Sequence, residues 1–177
     1  MTNLKNYLEA KVNSRGNKNL NYLSSFFSET ELAILSNKTI SIVGTNGKSS
    51  TANNIAMLLK GLDKSYIAFT SPHLFDYKER MTAHKDLNFN EYIQYLENFE
   101  LKNNINLGYF ESTFLIAAKA FLHNDMDYFI CEAGIGGKYD TTSVIQSKTV
   151  VLTSIGLDHT DILGNKITDI LNQKINV

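Results

Sequence analysis

Hydrophobic residues along this chain fall into two patterns, short apolar runs and longer stretches in which apolar residues recur every three or four positions. The short runs predict buried β-strands at Thr39–Val43, Ser65–Thr70, Asp127–Glu132 and Lys148–Ser154. The helical spacing predicts α-helices at Ala52–Leu62, Asn90–Lys102, Ser112–His123 and Thr168–Lys174. Strands that alternate with helices predict an α/β fold, an open and mainly parallel sheet with helices on both faces.

The first 36 residues read as helical segments that precede the first strand. Apolar residues at Leu4, Tyr7 and Leu8 have the spacing of an amphipathic turn, and Arg15–Asn19 forms a polar break. Ser28 stands three residues before Glu31, which is the Ser-x-x-Glu pattern of a capping box. A further helix is therefore expected to begin directly after Ser28.

A glycine-containing segment between the first strand and the following helix has the construction of a phosphate-binding loop, like that of P-loop NTPases. The segment is Gly44, Thr45, Asn46, Gly47, Lys48, Ser49 and Ser50. Backbone N–H groups at such a helix start point at an anion, and the helix dipole adds positive charge there. We expect Lys48 to meet the β- and γ-phosphates of a nucleotide, and a hydroxyl of Ser49 or Ser50 to face Mg²⁺.

Polar or glycine-rich motifs follow all four predicted strands. They are Gly44–Ser50, Ser71–His73, Glu132–Asp140 and Gly156–Thr160. In an open α/β sheet, ligands bind at the edge formed by the carboxyl ends of the strands. Glu132 ends an apolar strand, where a carboxylate for Mg²⁺ or catalysis is expected, and His159 between Asp158 and Thr160 is expected to be functional.

Composition narrows the class of protein further. The chain has 177 residues, which suits one α/β domain, and its net charge of −1 provides no basic field that would favour nucleic acid. No apolar run approaches the roughly 18 residues of a membrane span. The single cysteine, Cys131, allows no disulfide within the chain, and this composition is expected of a protein in the reducing cytoplasm.

Five motifs, in order, resemble the folylpolyglutamate synthase/dihydrofolate synthase family of Mur-type ATP-dependent amide ligases, and the resemblance covers nearly the whole chain from about Thr39 onward. They are Gly44-Thr-Asn-Gly-Lys-Ser-Ser, Ser71-Pro-His-Leu with Glu79-Arg80, Phe110-Glu111, Glu132-Ala-Gly-Ile-Gly-Gly-Lys-Tyr-Asp140 and Thr153-Ser-Ile-Gly-Leu-Asp-His-Thr-Asp-Ile-Leu-Gly164. The resemblance implies a Mur ligase central domain fold. It also implies an enzyme that joins L-glutamate to dihydropteroate, folate or both, through an acyl phosphate made with ATP.

The resemblance also implies roles for individual residues. Gly44–Ser50 would cradle ATP, and Lys48, Glu132, His159 and Lys174 would be catalytic. Ser50, Ser71, Glu132 and His159 would bind Mg²⁺, while Phe110, Glu111, Lys138, Tyr139 and Asp140 would contact the pterin or folate. Lys174 stands where the family carries a lysine carbamylated by CO₂, whose new carboxylate helps to hold a second Mg²⁺.

This sequence departs from the family at several positions. Ser49 replaces the glycine that usually follows the loop lysine, and Lys138 and Ser143 replace an arginine and an asparagine. Family members are about twice this length or more, so residues 1–177 are expected to form an incomplete, N-terminal ATP-binding domain without the C-terminal glutamate-binding domain.

Two other functions stay open at this point. One is a non-catalytic nucleotide-binding fragment, and the other is a different Mur-type ligase that adds amino acids to a cell-wall precursor.

Overall fold

The structure is a computed structural model, and it describes residues 3–12, 19–175 and 177. Its described part contains one five-stranded sheet in the order β3-β2-β4-β1-β5. The strands are β1 Thr39–Val43, β2 Tyr66–Phe69, β3 Met81–Ala83, β4 Tyr128–Glu132 and β5 Thr149–Leu152. The four strands β2, β4, β1 and β5 run parallel to one another, and β3 pairs antiparallel with β2. The predicted parallel sheet is therefore confirmed, with one antiparallel edge strand added.

Eight α-helices surround the sheet in the described residues. They are α1 Leu4–Glu9, α2 Leu20–Ser24, α3 Glu29–Lys38, α4 Lys48–Gly61, α5 Ile93–Asn103, α6 Tyr109–His123, α7 Thr160–Leu163 and α8 Ile167–Lys174. Single turns of 3₁₀ helix occur at Tyr77–Arg80, Phe89–Tyr92 and Thr141–Ile145. The capping box of Ser28 and Glu31 is confirmed at the start of α3. Residues 15–18 of the predicted polar break lie outside the described residues, and Asn19 caps α2.

Apolar residues on both faces of the sheet are covered by helices, as the sequence predicts. On one face, Ile67 and Phe69 of β2 pack in a large cluster with the almost fully buried helix α6. On the other face, the alternate residues Tyr66 and Ala68 pack with Ala52 and other residues of α4 in a smaller cluster. Because side chains alternate along a strand, this division shows that neither face of β2 meets solvent.

The carboxyl ends of the four parallel strands lie at the same edge of the sheet. Val43, Phe69, Glu132 and Leu152 are the last residues of these strands. Each of the four predicted polar motifs begins at or shortly after one of these residues, so the fold brings the motifs to one edge. No helix in the described part of the chain is long and apolar enough to cross a membrane.

Candidate functional site

The segment after β1 forms a tight loop that the segment after β5 holds in place. Gly44 has a φ of +152°, and a Cβ atom there would lie 1.9 Å from Oγ1 of Thr153, so only glycine fits. The backbone N–H of Thr45 donates to the carbonyl of Ser154 at 2.8 Å, and the N–H of Asn46 donates to its hydroxyl at 3.0 Å. The motif after β5 therefore shapes the phosphate loop.

Helix α4 begins at the loop lysine and leaves its first turn open to a ligand. Gly47 precedes the helix with a φ of +83°, and no side chain caps the helix start. The Nζ atom of Lys48 donates to the carbonyls of Gly44 at 3.0 Å and Thr45 at 3.3 Å, so its ammonium group lies over the loop. Free N–H groups and a lysine at one helix start are the features that bind a phosphate anion.

A second lysine reaches the same loop from the opposite end of the sequence. Lys174, the last residue of α8, is 2% exposed, and its Nζ atom donates to the carbonyl of Gly44 at 2.9 Å. Lys48 and Lys174 therefore share one acceptor. Burial lowers the pKa of Lys174, and the positive charge of Lys48 lowers this pKa further.

Glu132, the last residue of β4, brings a buried carboxylate to the loop. Its Oε1 accepts from the hydroxyl of Ser49 at 3.0 Å, and its Oε2 accepts from the backbone N–H of Ser71 at 3.1 Å. Burial raises the pKa of Glu132, while these hydrogen bonds and the charges of Lys48 and Arg80 act in the opposite direction.

The oxygen-rich surroundings of Glu132 fit a magnesium ion. Carboxylate and hydroxyl oxygens are the ligands that Mg²⁺ prefers, and phosphate oxygens held at the adjacent helix start would be able to share the ion. Ser49, rather than Ser50, is the loop serine that contacts Glu132. Within residues 3–12, 19–175 and 177, no three His, Cys, Asp or Glu side chains cluster as a metal site.

His159 lies on an exposed turn at the start of α7. It has a φ of +48°, its side chain is 43% exposed, and its Nε2 lies 3.7 Å from Oδ2 of Asp158. His159 and Glu132 share no hydrogen bond or ion pair in the described part of the chain. The structure thus places Ser71 and Glu132 together and leaves His159 apart from their hydrogen bonds.

A cavity of about 800 Å³ opens beside the glycine-rich segment that follows β4. Of the residues predicted to contact a substrate, Phe110, Glu111, Tyr139 and Asp140 line this cavity. Lys138 does not line it, and its Nζ atom lies 5.4 Å from the centre of the Tyr139 ring. The wall therefore combines aromatic rings with the carboxylate of Glu111, which is 4% exposed.

The carboxylate of Asp140 holds the glycine-rich segment rather than standing free. One oxygen accepts from the N–H groups of Gly134 and Ile135, both at 3.1 Å. The other accepts from the N–H of Thr142 at 3.0 Å and its hydroxyl at 2.7 Å. Burial raises the pKa of Asp140, although these hydrogen bonds favour its charged form. A Cβ atom on Gly137 would lie 2.4 Å from the carbonyl oxygen of Gln173, so this glycine lets α8 approach the segment.

Arg80, for which the sequence pattern predicts no individual role, lies close to this site. Its Nε donates to Nδ1 of His73 at 2.7 Å, and its guanidinium carbon lies 5.0 Å from the centre of the Tyr109 ring. The motif Ser71-Pro-His-Leu with Glu79-Arg80 contains both residues, but spacing alone does not show that the loop folds back. Glu79 folds it, because its carboxylate accepts from the N–H groups of residues 74, 75 and 76.

Comparisons with known proteins place this arrangement in a family. The profile of the Mur ligase middle domain matches residues 42–177. A dihydrofolate synthase/folylpolyglutamate synthase of Buchnera aphidicola subsp. Schizaphis graminum (strain Sg) is 36% identical over 176 residues, which are 95% of this chain and 40% of the relative. A second relative of that name, from Buchnera aphidicola subsp. Acyrthosiphon pisum (strain APS), is 38% identical over 77% of this chain and 34% of its own length.

A solved structure of E. coli FolC in complex with DHPP and ADP superposes with a TM-score of 0.86 at 28% identity, and the match covers 99% of this chain and 44% of FolC. The chain thus spans less than half the length of the relatives it matches. The matched residues include most of the described sheet and all of the loop Gly44–Ser50. On this evidence, the chain belongs to the Mur ligase middle domain family.

Proposed function

We propose that residues 1–177 form the ATP-binding part of a ligase that joins L-glutamate to dihydropteroate, folate or both through an acyl phosphate. The observation that carries this proposal is the phosphate loop, over which Lys48 lies and beside which Glu132 bonds Ser49. The names of the relatives support the substrate class. The domain that would bind glutamate belongs, in this proposal, to a longer protein.

The chemistry of the proposed reaction explains why cations gather at the loop. A carboxylate is a poor electrophile until it is phosphorylated, and its attack on ATP brings two anions together. Lys48 would hold the β- and γ-phosphates and neutralise charge that develops during transfer. Mg²⁺, when bound, would neutralise further phosphate charge. Its proposed ligands are Glu132, Ser71, His159 and a loop serine, Ser49 or Ser50.

The cavity beside the glycine-rich segment is the proposed site for the pterin or folate. Phe110 and Tyr139 offer aromatic faces for a flat heterocycle, and the buried carboxylate of Glu111 could accept its N–H groups. Asp140 would act here by holding the segment, and Lys138 would act from outside the cavity wall.

Lys174 is the proposed site of a carbamate formed with CO₂. Only a neutral amine attacks CO₂, and burial next to Lys48 favours the neutral amine of Lys174. The product would carry a carboxylate that can help to hold a second Mg²⁺ close to the phosphate loop. This modification would also replace a positive charge beside Lys48 by a negative one.

Calorimetric titration with MgATP tests the proposed function. We expect the chain to bind MgATP and the Lys48→Ala variant to bind at least tenfold more weakly, because an ammonium on the phosphates is lost. Lys60→Ala is the matched control, since Lys60 is exposed at the far end of the same helix. A chain that binds no MgATP, or a Lys48→Ala variant that binds it equally well, would contradict the proposal.

A further inference from the structure

Arg80 is a half-buried cation for which the proposed function has no use. It sits at the end of the 3₁₀ turn Tyr77–Arg80, and it makes no ion pair within the described residues. Its side chain donates a hydrogen bond to His73 and lies against the ring of Tyr109. A guanidinium withdrawn from water without a carboxylate partner is costly, and such a group is typical of a site that receives an anion.

The two contacts of Arg80 fix its guanidinium group in a defined orientation. Because an arginine only donates hydrogen bonds, Nδ1 of His73 must be the acceptor of this one. Tyr109 lies against the guanidinium and restricts its plane. The hydrogen bond uses Nε, and within residues 3–12, 19–175 and 177 the two terminal amino groups form no hydrogen bond. These groups form the fork that binds a carboxylate in two parallel bonds.

Arg80 lies beside the cavity, and a short series of hydrogen bonds connects its backbone to Glu132 at the phosphate loop. Tyr109, which the guanidinium contacts, lines the cavity. On the other side, the carbonyl of Arg80 accepts from the N–H of Thr70, and the next residue, Ser71, donates to Glu132. Burial lowers the pKa of Arg80 and raises the pKa of Glu132, and the attraction between the two charges opposes both shifts although they form no ion pair.

We propose that Arg80 binds the carboxylate of the acid substrate where the cavity meets the phosphate loop. This inference rests on the proposed function, which requires a carboxylate to lie between the cavity and the terminal phosphate of ATP. A preorganised cation at that point orients the carboxylate and reduces its repulsion from the phosphate. His73 acts as a positioning residue, because it holds the guanidinium through Nε.

Calorimetry with two acids and one ester tests this assignment. The probes are dihydropteroate, folate and the methyl ester of dihydropteroate, titrated into the 177-residue chain in the presence of a non-hydrolysable MgATP analogue. We expect Arg80→Gln to weaken binding of each acid by about tenfold, because two charged hydrogen bonds from the guanidinium to the carboxylate are lost. The ester has no carboxylate, so Arg80→Gln and the unchanged chain should bind it within about twofold of each other.

Three controls separate the roles. Lys78→Ala removes an exposed positive charge two residues away and should leave binding of the acid unchanged. Arg80→Lys keeps the charge without the fork, so its binding of the acid should fall between that of Arg80→Gln and the unchanged chain. Thermal melts followed by circular dichroism establish that each variant is folded. If Arg80→Gln does not fold, the binding measured for Arg80→Lys decides the test.

The outcomes distinguish this inference from the proposed function. Equal binding of the acid by Arg80→Gln and the unchanged chain would overturn the role of Arg80 and leave the proposed function intact. A loss of MgATP-analogue binding without a loss of acid binding would assign Arg80 to the phosphates and would also overturn it. An unchanged chain that binds the nucleotide but neither acid would overturn the proposed substrate class, and with it this inference.

Discussion

Lys174 lies in surroundings that favour its uncharged amine. It is buried, and its amino group shares the carbonyl of Gly44 with Lys48. Nothing in the helical pattern of Ile167–Lys174 distinguishes this residue from an ordinary cation at a helix end. The resemblance to a ligase family singled it out, whereas its burial depends on how α8 crosses the glycine-rich segment.

Carbamylation of Lys174 is therefore a prediction at the scale of a single residue. With ¹³C-labelled bicarbonate, we expect a carbamate carbonyl signal by NMR that Lys174→Arg removes and Lys60→Arg keeps. Because the pKa of Lys174 is lowered, its neutral fraction and the signal should grow at a lower pH than for an exposed lysine. A signal that persists in Lys174→Arg would contradict the assignment.

Other residues show where the sequence falls short. A hydroxyl facing Mg²⁺ could come from Ser49 or Ser50, and only the orientation of the first turn of α4 brings Ser49 to Glu132. The contact between Arg80 and His73 depends on a loop that Glu79 organises through three backbone N–H groups. Such contacts join residues that are not spaced with the period of a helix or a strand, so the sequence pattern does not predict them.

At the scale of elements, the strongly patterned segments were predictable, and the weakly patterned ones were not. The four parallel strands are confirmed within a residue or two at each end. Helix α4 begins at Lys48 rather than at Ala52, because its first turn is polar and the apolar spacing starts only afterwards. Strand β3 has three residues, of which only Met81 is buried, so it gives no alternation to detect.

The shape of the segment after β4 depends on the side chain of Asp140, so we expect its removal to destabilise this element. Asp140→Ala leaves three backbone N–H groups and a hydroxyl without their acceptor. We expect the free energy of unfolding to fall by about 2–4 kcal/mol, measured by urea denaturation. Asp161→Ala, at an exposed position, should change it by less than about 0.5 kcal/mol. Equal stability of the two variants would show that the segment holds its shape without Asp140.

At the scale of the whole molecule, the N-terminal helix is fastened to the helices that cover the sheet. Glu100 of α5 accepts hydrogen bonds from the hydroxyl of Tyr7, the ammonium of Lys11 and the N–H of Leu107. The side chains of Lys11 and Glu100 are 9% and 14% exposed, so this ion pair is largely withdrawn from water. The polar pattern of α5 predicts an exposed face, and nothing in it marks Glu100 as the residue that joins two helices.

Removal of Glu100 is therefore expected to weaken the whole fold. Glu100→Ala leaves Lys11 as a buried cation without its carboxylate, and the free energy of unfolding should fall by about 2–4 kcal/mol. Glu97→Ala changes an exposed position one turn earlier on the same helix and should have little effect. Chemical denaturation of the two variants measures the difference, and a loss below about 1 kcal/mol for Glu100→Ala would contradict the role given to this ion pair.

Because Lys48 and Lys174 bind the same carbonyl, we expect nucleotide binding at the loop to affect the stability of the whole domain. Both amino groups donate to this one oxygen, so the start of α4 and the end of α8 come together at the residue that follows β1. A phosphate held by Lys48 would lie next to Lys174, and a Mg²⁺ ion shared by that phosphate and the proposed carbamate would add a bond between the two helices. The nucleotide would thereby act as a cross-link between distant parts of the sequence, and the folded state would tighten as the loop fills.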